Sequence, residues 1–214
     1  NVYDLCLDGN GNMWIATDRG LTICDTKLDV SSSQSYEIVT TQRGFPSDVI
    51  TCFALANGGK EIWIGTGDKG VVALQLPAGF INRNIPTLLP GMRVFNSYLG
   101  TGSDFIECIC PDSRGNIWIG TTGGGATRIT PATAANRTLS LDQANVKNYN
   151  TRQGLNYFNV QSIMEDREGN IWLGTDVGLN KYRGERFTLY DRQDGLSNDI
   201  VWATCATKNG DVWL

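Results

Sequence analysis

One short pattern recurs five times along this chain, and a recurrence of that kind limits the fold more than any other feature. The copies read Asp8-Gly-Asn-Gly-Asn-Met-Trp-Ile-Ala-Thr17, Asn57-Gly-Gly-Lys-Glu-Ile-Trp-Ile-Gly-Thr66, Asp112-Ser-Arg-Gly-Asn-Ile-Trp-Ile-Gly-Thr121, Asp166-Arg-Glu-Gly-Asn-Ile-Trp-Leu-Gly-Thr175 and Thr207-Lys-Asn-Gly-Asp-Val-Trp-Leu214. Their anchors, Trp14, Trp63, Trp118, Trp172 and Trp213, stand 49, 55, 54 and 41 residues apart. That is close to the length of a four-stranded propeller blade.

Each copy resolves into the same pieces. A short apolar strand A precedes the turn: Val2 to Leu7, Ile50 to Leu55, Phe105 to Cys110, Val160 to Met164 and Ile200 to Cys205. Gly and Asn then supply a hairpin turn, because they tolerate the positive φ it needs. Strand B is Met13 to Thr17 and its equivalents. A second turn leads to an alternating strand C such as Leu21 to Cys24 or Leu179 to Tyr182, and strand D follows, clearest at Val146 to Tyr149 and Phe187 to Tyr190. The D-to-A passage has its own wording, as in Gln42 to Asp48, Arg152 to Asn156 and Gln193 to Asp199. No helical period competes with the alternation. The predicted fold is an all-β propeller of four full four-stranded blades, at about 1–48, 49–104, 105–159 and 160–199, plus a partial blade at 200–214.

The combination of D-x-x-G-N-I-W-[IL]-G-T, a following G-L with a strand ending in Tyr, and Q-x-G-L-x-N before the next strand resembles the two-component regulator propeller repeat. The resemblance runs through the whole chain. It implies the periplasmic sensor portion of a hybrid two-component protein of gut bacteria, with propellers of about seven blades preceding an immunoglobulin-like domain, a membrane helix and a histidine kinase. The chain departs from that picture in having too few blades and none of the downstream parts. Its second repeat is irregular too, with Lys60-Glu61 where others have Gly-Asn and one extra turn residue.

Composition removes several function classes. Formal charge is -4, with basic residues scattered, so the footprint of a nucleic-acid binder or of an anionic lipid surface is missing. No stretch approaches the about eighteen apolar residues of a membrane helix. With His 0, a Ser-His-Asp or Cys-His nucleophile and a His-bound metal are excluded within the chain. Cys6, Cys110 and Cys205 share one repeat position, filled by Met164 in the fourth copy and by Ala54 or Leu55 in the second. Cys24 matches Leu74, Ile129 and Tyr182. Positions that interchange in this way are packing positions, so six free thiols are expected rather than disulfides, and Cys108-x-Cys110 has the wrong spacing for zinc. Gly123-Gly124-Gly125 lacks the Lys-Ser/Thr of a phosphate loop and reads as a turn. Asp18 and Asp68 could face one another as in glycoside hydrolysis, but acidic residues here recur blade after blade, unlike a catalytic acid. The blade tryptophans sit between apolar residues and read as packing rather than sugar platforms. No catalytic residue, cofactor or metal is expected.

A binding surface remains. In a propeller the D-to-A and B-to-C connections share one face, which here gathers Asp18, Arg19, Asp48, Asp68, Lys69, Asp104, Tyr157, Phe158, Asn159, Asn198 and Asp199. Mixed charge, amides and aromatics suit a small polar ligand such as an oligosaccharide. The opposite face carries enlarged C-to-D connections at 31–35, 77–92 and 131–145, against Gly184 alone in the fourth repeat, and these are candidate contacts to a neighbouring propeller or a homodimer partner. Three functions compete: a kinase sensor ectodomain, an interaction scaffold, and a polysaccharide-active enzyme. The repeat favours the first. The chain is further expected to be an open arc of a larger propeller, with apolar flanks exposed on its terminal blades.

Overall fold

The computed structural model describes residues 1–28, 35–80, 89–130, 146–207 and 211–214. Among them all regular structure is strand, apart from short 3-10 turns. Four antiparallel sheets follow the chain order. They are β1 (Val2–Leu7), β2 (Asn12–Thr17), β3 (Gly20–Asp25) and β4 (Tyr36–Val39); then β5 (Ile50–Ala56), β6 (Glu61–Thr66), β7 (Val71–Gln75) and β8 (Arg93–Phe95). The third is β9 (Ile106–Pro111), β10 (Ile117–Thr121), β11 (Gly125–Ile129) and β12 (Val146–Tyr149), and the fourth β13 (Val160–Glu165), β14 (Ile171–Thr175), β15 (Gly178–Arg183) and β16 (Arg186–Tyr190). A two-stranded sheet, β17 (Cys205–Ala206) with β18 (Val212–Trp213), begins a fifth blade. These meandering sheets are the blades of the propeller that the repeats predict. The fifth A strand is shorter than the expected Ile200 to Cys205: its partner offers two residues, so only Cys205 and Ala206 pair.

The chain forms two compact units, 1–95 and 96–214. The first holds two blades around Trp14, Ile23, Ile64 and Phe53. The second holds the third and fourth blades around Trp118, Tyr149 and Leu173, together with β17 and β18.

Each position of the repeat has a physical task. The opening aspartate is the least obvious. Asp166 accepts from the backbone N–H of Glu168 and Asn170 (3.1 and 2.8 Å), from Asn170 Nδ2 and from Trp172 Nε1 (2.6 Å). Asp8 and Asp112 repeat the pattern, each 2.9 Å from the indole nitrogen of Trp14 or Trp118. The carboxylate thus closes the A-to-B hairpin and satisfies the one polar atom of a core tryptophan. The second blade lacks this aspartate. There Glu61 accepts from Trp63 Nε1 at 3.4 Å and pairs with Arg93 at 2.5 Å, both side chains largely buried. The extra turn residue is present, since Ala54 rather than Leu55 faces Trp63.

The glycine after the tryptophan lets blades approach. A Cβ on Gly174 would lie 2.5 Å from Ser162 Oγ and 2.7 Å from Val201 O, in the strand-entry segment of the next blade. The closing threonine latches the B-to-C turn: Thr66, Thr121 and Thr175 are buried and donate to the carbonyls of Gly70, Gly125 and Gly178 at 2.7 to 2.8 Å. Cys6, Cys110 and Cys205 each stand opposite a blade tryptophan in register, and Cys24 is the counterpart of Leu74, Ile129 and Tyr182. Burial, with Asp4 and Asp8 nearby, pushes the Cys6 thiol up to about 11. Burial and Glu165 do the same for Cys110.

On the opposite face, part of the second enlarged connection folds inward. Gly79 N donates to Asn10 Oδ1 (2.9 Å), Asn12 Nδ2 donates to Phe80 O (3.2 Å), and the buried Phe80 ring stacks on Trp14 at 6.0 Å. Phe80 therefore serves the first unit's own core, because an apolar ring that can reach a neighbouring tryptophan gains most by burial there, while residues 77–79 stay exposed. The connections at 31–34, 81–88 and 131–145 lie outside the described residues.

Candidate functional site

Within each unit the D-to-A passage meets the B-to-C turns, as the topology requires. In the first unit Gly20 N donates to Asp48 O (2.6 Å), Gly67 N to Val49 O (3.0 Å), and Ser47 Oγ to Asp68. In the second, Gly125 N donates to Phe158 O and Gly123 N to Asn159 Oδ1, both at 2.8 Å.

Each passage holds a 3-10 turn, Thr41–Arg43, Ser97–Leu99, Thr151–Gln153 and Arg192–Asp194, each ended by a left-handed glycine. Asp48, Asp104 and Asp199 cap three of them. Each carboxylate accepts the first N–H of its turn, from Thr41 (2.7 Å), Ser97 (2.5 Å) and Arg192 (3.0 Å). In Asp48 and Asp104 the other oxygen takes the hydroxyl of Thr41 or Ser97, at 3.0 Å. The remaining turn has no such carboxylate. Seven residues past Thr151 stands Phe158, and the residue before it, serine in the first two passages and Asn198 in the last, is Tyr157. The two rings stack 4.1 Å apart at 26°, and Phe158 is 43% exposed. The backbone of Phe158 still bonds Gly125 as Asp48 bonds Gly20. Only the side-chain chemistry has changed.

Around the aromatic pair the structure assembles the expected Asn159 with Gln161, Asp176, Glu107 and Thr122, which sequence reasoning did not single out. Asn159 Nδ2 and Gln161 Nε2 donate to the two oxygens of Asp176, at 2.8 and 2.9 Å. Glu107 accepts from Thr122 Oγ1. Glu107 and Gln161 are the bulged residues of β9 and β13, where the register slips by one. A bulge aims a side chain out of the pleat and toward the turn face. The available signal was that both break the alternation at the same blade position, but a bulge has no residue signature of its own. The other expected residues have partners of their own. Asp18 accepts from the amino group of Asn1 (3.1 Å), the exposed Arg19 bonds through its backbone to Thr17, Lys69 lies 3.7 Å from Asp68, and Asn198 accepts from Ile200 N. Trp14, Trp63 and Trp118 are buried in the core, so they offer no platform to a ligand.

Among the described residues no group of acidic or cysteine side chains could hold a metal, and no helix is long and apolar enough to cross a membrane. No curated protein matches the chain. The two component regulator propeller family matches residues 1–19, 100–123 and 154–177. The extracellular domain of a hybrid two component system from B. thetaiotaomicron matches with a TM-score of 0.76 at 25% identity, over 99% of this chain and 26% of that one. A second such domain from the same organism matches at 0.69 and 20% identity, over 100% and 26%. PorZ, a surface component of the type-IX secretion system of Porphyromonas gingivalis, matches at 0.65 and 14%, over 97% and 29%; at these identities the last two show the fold alone. The chain spans about a quarter of the length of the first two. Three stretches of the chain thus match the two component regulator propeller family, and the chain shares the β-propeller fold with those extracellular domains.

Proposed function

We propose that this chain is a sector of the extracytoplasmic sensor region of a bacterial two-component signalling protein, and that it binds a polar ligand, an oligosaccharide or a similar molecule. The site is the D-to-A and B-to-C face of the second unit. The observation that carries this reading is the replacement of the repeated pair, serine or asparagine then aspartate, by stacked Tyr157 and Phe158. In a repeat protein, scaffold chemistry recurs, so a position that leaves the repeat while its backbone bond is kept has been freed for another use. An exposed aromatic pair beside amide and carboxylate groups gives a sugar ring an apolar face and hydroxyl partners. The likeness to extracellular domains of hybrid two component systems supports a periplasmic setting, a membrane-anchored parent and a role in sensing without chemistry. Asp18, Arg19, Asp48, Asp68, Lys69, Asp104, Asn198 and Asp199 remain proposed contributors, each on the D-to-A and B-to-C turns of its own unit.

The exposed row Tyr3, Leu5 and Leu7 on β1 supports a larger propeller, in which a further blade covers that strand. The test of the site is calorimetry against an oligosaccharide panel. The double change Tyr157→Ser with Phe158→Asp restores the repeated wording and keeps the turn. It is expected to weaken binding about tenfold or more, in line with loss of an aromatic hot spot, at an unchanged melting temperature. Binding that survives the change would place the site elsewhere.

A further inference from the structure

The repeat is broken at a second place, on the opposite face of the second unit. Between the third and fourth blades lies a cleft of about 200 Å³ lined by Asn116, Trp118, Arg128, Tyr182, Arg183 and Arg114 among others. The corresponding place in the first unit, lined by Asn10, Gly59, Lys60 and Pro77, is open too, but Phe80 packs beside it on Trp14. There the connection after β7 covers the first blade's hairpin, with Asn12 bonded to Phe80 O and Trp14 stacked by its ring. In the second unit β15 and β16 are joined by Gly184 and Glu185 alone, and Asn116 stays partly exposed. Accordingly Asp112 and Asn116 are half-buried where Asp8 and Asn12 are buried.

The residue opposite the blade tryptophan on strand C also changes. Ile23 and Ala73 hold it in the first two blades, and Arg128 in the third. Its guanidinium lies 5.7 Å over Trp118 and 5.8 Å over Tyr149. Nη1 donates to Tyr182 Oη (3.2 Å) and Glu185 (3.3 Å), while the buried Nε–H has no partner. The fourth blade has a cation there too, Lys181 over Trp172. Charge in the cleft favours an anion. Asp112 is occupied by two backbone N–H groups, Asn116 and Trp118, and Glu185 is taken up by Lys147, Tyr182 and Arg128. The lining thus carries three guanidinium groups, Arg114, Arg128 and Arg183, against the carboxylates of Asp112 and Glu168. Arginine held flat by aromatic rings is preorganised for a carboxylate, and the volume lies below that of a drug-sized pocket.

We infer that this cleft binds a small polar carboxylate, of the size of a hydroxy acid or a single sugar acid, at a site separate from the Tyr157 face. The test titrates the 214-residue chain with D-glucuronate, D-glucose and acetate by calorimetry, over a roughly millimolar range. Glucuronate is expected to bind, acetate more weakly and glucose not at all. Arg128→Gln should weaken glucuronate binding about tenfold, as expected for loss of a charge-assisted pair. Should that variant melt early, Arg183→Glu, an exposed reversal of charge, decides the matter with a loss of the same direction. Tyr157→Ser with Phe158→Asp should leave the affinity unchanged. Equal binding of glucose, no binding of glucuronate, or loss of binding only in the Tyr157 and Phe158 variant would overturn the inference.

Discussion

Asp166 illustrates how much one carboxylate does in this fold. Burial alone would raise its pKa, yet the hydrogen bonds from Asn170 and Trp172 outweigh that and hold it below the usual carboxylate range. Removing it leaves an indole N–H and two backbone N–H groups without their partner, at about 1–3 kcal/mol for each buried group. Asp166→Ala is therefore expected to lower stability by about 3 kcal/mol, and Asp112→Ala by less, since water reaches the third blade's hairpin; urea unfolding of both variants checks the order. Acid behaviour offers a second test at this scale. Glu185 is held down from 4.5 to about 2, chiefly by Lys147 and then Tyr182. A depressed carboxylate contributes stability that is full above 4.5 and is lost as pH falls toward 2. Glu185→Gln should flatten melting temperature against pH across that window, by a modest amount because the side chain is 54% exposed. Thiol chemistry gives a third: reagent added to the native protein should modify the exposed Cys205 first and the high-pKa Cys6 and Cys110 slowly, with six thiols after denaturation without reductant. Finding fewer than six would contradict the packing role. The sequence displayed the repeat and its turn glycines plainly. It did not display the aspartate's partnership with an indole six residues away, because that contact exists only once the hairpin register is set.

Blades were legible because strand, turn and strand each leave a residue signature. The D-to-A passages were legible only in part. Residues 96–104 lack the glutamine and Gly-Leu wording, yet they form the same capped 3-10 turn through Asn96 and Asp104. Short turns of this kind are set by one capping carboxylate and one left-handed glycine, too little signal to separate from loop. Packing between blades was hidden as well. The Gly-Thr pair reads only as the end of strand B, whereas Gly174 is fixed by Val201 O of the next blade's entry and Thr175 by its own hairpin. Gly174→Ala is expected to destabilise by about 1–3 kcal/mol, since both contacts would fall below 3.0 Å. Chemical denaturation measures it, and a neutral result would mean the fourth blade can shift away from its neighbour. The same change is tolerated by design in the first blade, where Ala16 occupies the position and is fully buried.

At the scale of the molecule, repetition serves as a ruler. Features that recur, the capped turns, the Asp and Trp pairs and the threonine latches, hold blades together. Two features that depart from the repeat lie on opposite faces of the second unit: the aromatic pair at Tyr157 and Phe158, and the arginine cleft at Arg128. The aromatic pair was named from sequence along with turn aspartates, since both lie in the same passage; only hydrogen bonding separates a capping carboxylate from a side chain left unengaged by the turn. Ligand recognition by the aromatic face is the central claim. Amide chemical-shift mapping on the labelled chain, titrated with whichever oligosaccharide binds in calorimetry, tests it most directly. The largest shifts should fall at Gly123, Tyr157 to Gln161 and Asp176. Shifts confined to the repeated turns at Asp48, Asp104 and Asp199, with the aromatic passage unmoved, would contradict it.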